Sequence, residues 1–423
     1  MRILILSQWY PPEPMKLLSD MAESLYAMGH DVTVLTGFPN WPEGKVYSGY
    51  KIKLLQKEVI GGVPIVRIPL YPNHSTSKIK RAFNYLSFIF SASLLGPFLI
   101  KPPDIIHAIQ PPTTCFAAWF LSRIWKIPFT YEIQDMWPET LQATGMVNNK
   151  KILNIVSKCC NWVYSKASAL RVISPGFRDN LISKGVALEK INLVPNWVDV
   201  NFYKPQPVSI KLSEKMGFKG QFNILYAGTV GLAQGLETIL SAAALLQDLV
   251  DIRFVIAGDG VALSDLKGYI ATHKINNVKF LGRQPMSLMP DLYALSDILL
   301  VHLKDDPLFR MTIPHKTLTY LAAGKPILAA VEGDVADILK SAQAGLVCPS
   351  DNPQALADTV RRFYNMSSAE LGEMGKNGRR AACELYSREN LVGQLAQTFE
   401  VVVDKSMQES IHSATNIACG EKK

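Results

Sequence analysis

A strand–helix–strand alternation in the first forty residues, restarted from residue 222, constrains this chain more than any other feature. "RILILS" is an apolar run of strand length that ends at a Pro-Pro loop. "SDMAESLYAMGH" follows with Met21, Leu25 and Met28 on one helical face and Gly29 as its stop, and "DVTVLTG" is the next strand. Consecutive strands joined by a helix run parallel, so the fold class is α/β with open sheets. Further strands are expected at "VPIVRIP", "DIIHAI", "FTYEI", "LRVIS" and "INLVP". The second half repeats the grammar at "FNILYAG", "RFVIAG", "VKFLG", "DILLVHL", "KPILAA" and "AGLVC". A chain of 423 residues exceeds a single core. Two tandem Rossmann-like domains, 1–200 and 201–385, are therefore expected, divided at the polar, Pro-containing "VDVNFYKPQPVS" and flanking a cleft at the strand carboxyl ends. "SMQESIHSATNIACGEKK", residues 406–423, is expected to be a flexible tail.

Charge narrows the partners. The first 200 residues carry 21 Lys+Arg against 13 Asp+Glu, and the remainder carries 23 of each, so the whole net charge of +8 lies in the first domain. A basic domain attracts nucleic acid, anionic lipid or a phosphorylated substrate. No nucleic-acid-binding signature accompanies it, which leaves lipid or phosphate. Six cysteines without a CxxC spacing suggest neither a zinc site nor a disulfide framework, and point to a reducing cytoplasm and no metal ligands. "FNYLSFIFSASLLGPFLI", residues 83–100, has no charge and is preceded by Lys78, Lys80 and Arg81. It barely reaches spanning length, holds Gly96-Pro97 and runs straight into the strand "DIIHAI", so a packed or interfacial helix is expected over a spanning one. The helix expected over 150–171 adds Lys150, Lys151, Lys158, Lys166 and Trp162. The two helices suit an anionic membrane surface, and ordinary amphipathic surface helices are the plain alternative.

Phosphate chemistry is written into the second domain. "AGTVGLAQGLE" places Gly228, Gly231 and Gly235 between a strand and a helix, where backbone amides and a helix N-terminus can meet an anion. It is neither GxGxxG nor a P-loop, and Gly258-Asp259-Gly260 is a fragment better read as a tight turn. "IPHKTLTYLAAGKP" puts His315 and Lys316 at a helix start that is already electropositive, which makes sense if an anion arrives from outside; a solvated turn is the alternative. A nucleoside diphosphate held by the Gly228–Gly235 amides and Lys316 follows. Arg283 in "FLGRQP" is a candidate for the base end of that nucleotide, or a solvated loop arginine. In the first domain, Glu132 and Asp135 in "YEIQDMWPE" lie where carboxylates could orient or deprotonate a sugar hydroxyl, beside Trp137. Asp135 could instead cap the following turn. "HAIQPP" brings His107 and Gln110 to the neighbouring strand end, and His107 reads equally as a satisfied core histidine.

With these stretches in place, "SQWYPPEP", "MGHDVTVLTGFPNWPEGK", "VISPGF", "LVPNWVD", "VIAGDG", "VHLKDDPLFRMTIPHKT" and "YLAAGKPILA" add up to a chain that, over most of residues 1–395, resembles a family 4 glycosyltransferase of GT-B fold, with bacterial O-antigen and capsule L-fucosamine transferases as the look-alikes. The resemblance implies retaining, metal-independent transfer with no cofactor beyond the sugar nucleotide, UDP-N-acetyl-L-fucosamine being the leading donor. It implies a donor site in the second domain, at Gly228, Thr229, Gly231, Gln234, Gly235, Arg283, His315, Lys316, Thr319, Lys304 and Asp305. Lys316, Glu132 and Asp135 are the candidate catalytic residues, and His107, Gln110, Trp137 and Lys16 the candidate acceptor contacts. The acceptor implied is a lipid-diphosphate-linked saccharide, met on the cytoplasmic face of the inner membrane, and a helix over 386–405 is implied to pack back on the first domain. The sequence departs from the family pattern in three places. Met311 and Thr319 stand where many members have two glutamates, and Thr229, Leu232 and Gln234 leave the glycine loop without a cation. Pro14-Met15-Lys16 replaces a glycine-rich turn. His302, Lys304, Asp305 and Asp306 in "VHLKDD" follow a strand in the donor domain and are candidate sugar contacts. A GT-B UDP-sugar 2-epimerase and a non-catalytic scaffold of a polysaccharide assembly complex are the rival readings.

Overall fold

The computed structural model describes residues 1–75 and 77–420. The chain forms two compact units. One comprises Met1–Ile173, Phe177–Pro195 and the chain from Leu391 onward; the other comprises Ser174–Gly176 and Asn196–Asn390.

The first unit is built on β1 (Arg2–Leu6), β2 (Asp31–Gly37), β3 (Gln56–Ile60), β4 (Val63–Ile68), β5 (Ile105–Ile109), β6 (Phe129–Ile133), β7 (Ala169–Val172) and β8 (Ile191–Leu193), with the central strands apolar and buried on both faces. They lie in the order β3-β4-β2-β1-β5-β6-β7-β8. All pair in parallel except β3, which returns antiparallel on β4. Gly61 and Gly62 make that two-residue turn with φ of +58° and +84°, a conformation glycine adopts without steric cost. Strand β3 is the one strand of this sheet not foreseen. Its residues alternate between half-buried and exposed at a sheet edge, which leaves no continuous apolar run to read. The order reverses between β1 and β5, the position at which open α/β sheets open a crevice.

The second unit holds β9 (Phe222–Ala227), β10 (Ile252–Ala257), β11 (Val278–Gly282), β12 (Ile298–His302), β13 (Ile327–Ala330) and β14 (Gly345–Cys348). Their order is β11-β10-β9-β12-β13-β14, with every pair parallel. The reversal falls between β9 and β12. Apolar clusters fill both faces of this sheet, one around Leu225, Val255 and Leu299, the other around Ile224, Phe254 and Leu300.

The last helix runs from Arg388 to Gly420. Leu391, Leu395, Phe399 and Val402 are buried at helical spacing, and the Phe399 ring lies 4.9 Å from that of His107 in the first unit. The stretch from 406, expected to be a flexible tail, continues this helix as far as Gly420, with no Gly or Pro between Ser406 and that point; residues 421–423 lie outside the described residues.

Candidate functional site

At the carboxyl end of β9 the chain turns through Gly228 with φ +142°. The loop after β10 packs directly on it. A Cβ at Gly258 would lie 1.8 Å from the Gly228 carbonyl oxygen, so only glycine permits this approach. The Gly228 amide donates to the Ala257 carbonyl and the Val230 amide to the Asp259 carbonyl, each at 2.9 Å. Gly258-Asp259-Gly260 is thus a shelf under the glycine loop, beyond the tight turn read from sequence. The Gly231 amide donates to Gln234 Oε1, and the Gln234 and Gly235 amides close a short turn on the Gly231 and Leu232 carbonyls. This corrects the expectation that the amides across Gly228–Gly235 face a ligand: most are spent on the loop. The remaining donors are the N–H groups of Thr229, Leu232 and Ala233 and the first turn of helix Leu236–Ala244, which no side chain caps.

Lys316 enters from helix His315–Ala323, whose N-terminus also lacks a side-chain cap. One turn further along, the Tyr320 hydroxyl accepts from the Ala227 amide at 2.8 Å and donates to its carbonyl at 3.2 Å, pinning the helix to the end of β9. That clamp sets the Lys316 Nζ 3.6 Å from the centre of the Tyr226 ring, and 2.9 Å from where a Cβ on Gly228 would stand. The Nζ is sealed from solvent and has no hydrogen-bond partner. Burial pushes its pKa down to about 7. A cation held without an anion is costly, and such expense concentrates where a ligand completes the pairing.

His302 ends β12 and is fully buried. Its Nδ1 donates to the Gln234 carbonyl at 2.7 Å, fixing the tautomer with Nε2 as acceptor, and burial lowers its pKa. The Lys304 amide donates to the Ala233 carbonyl, so the loops after β9 and β12 are stitched across the reversal. Lys304 itself is exposed, with Cγ 3.0 Å from where a Cβ on Gly235 would lie. Arg283 is exposed just past β11, two strands from β9.

Several expected donor contacts are engaged elsewhere. The Thr319 hydroxyl donates to the Lys316 carbonyl at 3.0 Å and lies 3.3 Å from the Tyr293 hydroxyl, in the core. Its position faces the helix's inner side, so it offers nothing to a ribose. Asp305 is held by the Arg310 guanidinium through bonds of 2.9 and 3.1 Å. Asp306 caps the short helix Pro307–Arg310 by accepting from the Leu308 amide. His315 Nε2 donates to the Trp197 carbonyl at 3.1 Å, tethering the helix start, and Gln234 braces the loop it belongs to.

In the first unit, Glu132 and His107 are corrected to core roles. Glu132 Oε2 lies 2.5 Å from the Arg171 guanidinium and 3.1 Å from His107 Nε2, while Oε1 accepts from Gln134. Burial alone would raise its pKa, but Arg171, then His107 and Gln134, outweigh it and hold the carboxylate well below the usual range. His107 is buried between Glu132 and the Thr130 hydroxyl, 2.9 Å from its Nδ1. Neither can reach a substrate. Asp135 is different: it is exposed and accepts from Gln110 Nε2 at 3.0 Å. Trp137 is half-buried two residues on. Lys16 is exposed at the first turn of helix Lys16–Ala27 and is paired with Asp20. The surface hollows of about 490 and 580 Å³ in this unit lie near the amino ends of β1 and β6, away from these groups and from the end at which open sheets bind ligands. Among the described residues no group of three or more His, Cys, Asp or Glu side chains could hold a metal ion.

Two reversal-point sheets in succession along the chain, with a buried cation at one of them, fit the GT-B plan, and comparison with known proteins supplies the class, a glycosyltransferase. The model for "Glycosyl transferase 4-like domain" matches residues 16–197, and that for "Glycosyl transferases group 1" matches 209–381. The chain belongs to the family 4 glycosyltransferases. It is 26% identical to the putative colanic acid biosynthesis glycosyl transferase WcaI of Escherichia coli, over 77% of this chain and 82% of that one. It is 27% identical to the probable glycosyltransferase WbjE of Pseudomonas aeruginosa, over 68% and 72%. In fold it is similar to Anabaena Alr3699/HepE, solved in complex with UDP, with a TM-score of 0.73 and 18% identity over 95% of this chain and 100% of that one. Tyr226 and Tyr320 were not singled out from sequence, Gly258 was read only as part of a tight turn, and His302 was offered as a sugar contact rather than as a brace of the glycine loop. The only local trace of their role was that each lies at or beside a strand end or in the "TYLAAGKP" helix.

Proposed function

We propose that the protein is a retaining, metal-independent glycosyltransferase that moves a sugar from a UDP-sugar onto a lipid-diphosphate-linked saccharide in bacterial surface polysaccharide synthesis, with UDP-N-acetyl-L-fucosamine as leading donor. The observation that carries this reading is the buried, unpartnered Lys316 ammonium at the β9/β12 reversal. A diphosphate there would receive the ammonium, the Thr229 N–H and the N-terminal turns of helices Leu236–Ala244 and His315–Ala323. Charge that develops on the departing UDP would be met by donors already in place, which lowers the barrier to sugar departure. Lys304 is placed to add a second charge, and Arg283 remains the candidate for the base. Retention would come from same-face attack by the acceptor or from a short-lived ion pair. Asp135, oriented by Gln110 in the first unit, is the candidate to hold or deprotonate the acceptor hydroxyl. The sugar nucleotide is a substrate, and the reading calls for no other cofactor.

The UDP complex of the HepE neighbour and the colanic acid assignment of WcaI support the donor class and the pathway class. The cytoplasmic membrane face as the place of work is supported by helix Lys78–Leu99. Ile79, Phe83, Leu86, Phe90, Leu94 and Phe98 recur at three- and four-residue spacing along it, and each is more than half exposed. The segment Ile79–Leu99 is long and apolar enough to cross a bilayer. It is also the crossover that carries the chain from β4 back to β5 of one sheet, so spanning would separate strands of that sheet. Lying in the interface keeps the sheet whole and buries the stripe. Incubation with a panel of UDP- and GDP-sugars and a lipid-diphosphate saccharide tests the reading. Transfer from UDP-N-acetyl-L-fucosamine, lost in Lys316→Met, is expected; sugar epimerisation without acceptor would replace transfer with the rival activity.

A further inference from the structure

The loops at the carboxyl ends of β1 and β2 carry aromatic and polar groups that the site above does not use. Trp9 is half-buried at the centre of three other rings. Trp41 lies 6.3 Å from it, His74 5.8 Å and Tyr85 6.3 Å, centre to centre, and all three are likewise half-buried. The arrangement is built rather than incidental. The buried Glu13 carboxylate accepts from the Tyr10 amide at 2.9 Å and from the Asn40 and Trp41 amides at 2.8 Å each, tying the two loops together. The buried Arg67 guanidinium donates to the Gly37 carbonyl at 2.9 Å and to the Pro11 carbonyl, bracing the same two loops from beneath.

Within this frame the Tyr10 hydroxyl and four further buried polar atoms have no partner. Trp9 Nε1 is a donor, Asn40 Oδ1 and Gln8 Oε1 are acceptors, and His74 Nε2 completes the set. Gln8 and Asn40 are wholly buried side chains. Each uses its amide nitrogen internally, Gln8 on Asn84 and Asn40 on the Phe38 carbonyl, which leaves the oxygens as the unspent ends. Buried polar atoms are ordinarily paired, so orphans on these rings and on the residues next to them in the chain call for a ligand that presents both apolar C–H faces and hydroxyl or amide groups. A pyranose is that ligand class.

We infer that Trp9, Trp41, His74 and Tyr85, with Asn40 and Gln8, form a saccharide subsite that takes the sugar of the acceptor. The inference rests on the proposed transferase reading for the word acceptor, and on the geometry alone for the word saccharide. It moves the acceptor's sugar contacts from His107 and Lys16 to the β1 and β2 loops. Tyr85 belongs to helix Lys78–Leu99, which also presents the exposed apolar stripe, so one helix would serve the saccharide and the lipid of the same acceptor.

The test uses the full chain. Saturation-transfer NMR is run with methyl glycosides of glucose, galactose and N-acetylglucosamine as probes, on wild type, Trp9→Leu, Trp9→Phe and His74→Ala. Ring-proton saturation is expected for at least one glycoside in wild type. At least tenfold weaker binding is expected in Trp9→Leu and His74→Ala, with partial retention in Trp9→Phe, which keeps a ring face and loses the Nε1 donor. Thermal melting by circular dichroism verifies folding of each variant. In turnover, Trp9→Leu should raise the KM for lipid-linked acceptor at least tenfold while leaving the KM for sugar nucleotide within twofold. If Trp9→Leu and His74→Ala fold and keep the acceptor KM within twofold, the subsite is wrong and the transferase reading stands. If wild type binds glycosides through these residues but neither binds nor turns over a sugar nucleotide, the transferase reading is wrong and the subsite stands.

Discussion

Lys316 makes a quantitative prediction about proton uptake. In the free protein its pKa is lowered by burial to about 7, from an ordinary 10.5. A diphosphate placed against Nζ favours the charged form and drives that pKa back up. At pH 8 about one tenth of the free protein carries the proton, so binding should take up about 0.9 proton; at pH 6 the uptake falls to about 0.1. Affinity should weaken by up to about tenfold per pH unit above 7. Isothermal titration of UDP at pH 8, in two buffers of different ionisation enthalpy, reads the uptake directly. The terminal phosphate of UDP, with a second pKa near 6, is ionised there and contributes little. Lys316→Met serves as the blank for His302 and His315. The folded-state pKa is depressed, so the group's contribution to stability is intact above pH 10.5 and is lost as pH falls towards 7. Lys316→Met removes a cost that reaches about 4 kcal/mol at neutral pH, and should melt at higher temperature while losing nucleotide. Uptake below about 0.3 proton at pH 8, or equal uptake in the methionine variant, would refute the placement of the diphosphate at Nζ.

Other expectations are separable from this one. Glu132→Gln leaves Arg171 buried without its counter-charge and should cost about 3–5 kcal/mol in denaturant unfolding. Because the Glu132 pKa is depressed on folding, that deficit should be full above pH 4.5 and shrink as pH falls below it; an unfolding curve unchanged from wild type would return Glu132 to the list of catalytic candidates. Glu13 is the opposite case, its pKa raised from 4.5 to about 6 by burial, which outweighs the three backbone amides. Its stabilising contribution is present below pH 4.5 and lost as pH rises through 6, so Glu13→Gln should gain about 2 kcal/mol relative to wild type between pH 4 and pH 7, and a pH-independent difference would contradict the burial assigned to it. Phe83→Ser with Phe90→Ser should abolish flotation with phosphatidylglycerol vesicles at high salt while leaving the melting temperature within a few degrees, since both rings are exposed. Flotation that depends only on salt would assign docking to the basic residues instead.

The alternation of strands and helices was legible because each is a local pattern. Period-two and continuous apolar runs bounded by Gly and Pro marked all six strands of the second sheet and seven of the eight in the first. The electropositive helix start at His315-Lys316 and the glycine loop were legible for the same reason, each lying within a dozen residues. What sequence could not decide was which distant group each side chain meets. Glu132 and His107 looked available because Arg171, on the strand after Glu132's, and Phe399 on the last helix are placed against them only by the sheet order and the helix return. Lys316 looked like a solvated charge or a ligand contact with equal right until topology laid it on Tyr226, 90 residues earlier, and Tyr320 locked it there. Trp9, Trp41, His74 and Tyr85 are scattered over four segments and converge only because β1, β2 and β4 lie side by side. Backbone periodicity is set by neighbours along the chain, whereas desolvation and charge pairing are set by neighbours in space. The sequence therefore determined the class of fold, and the tertiary structure decided which of its polar residues were left unpaired for chemistry.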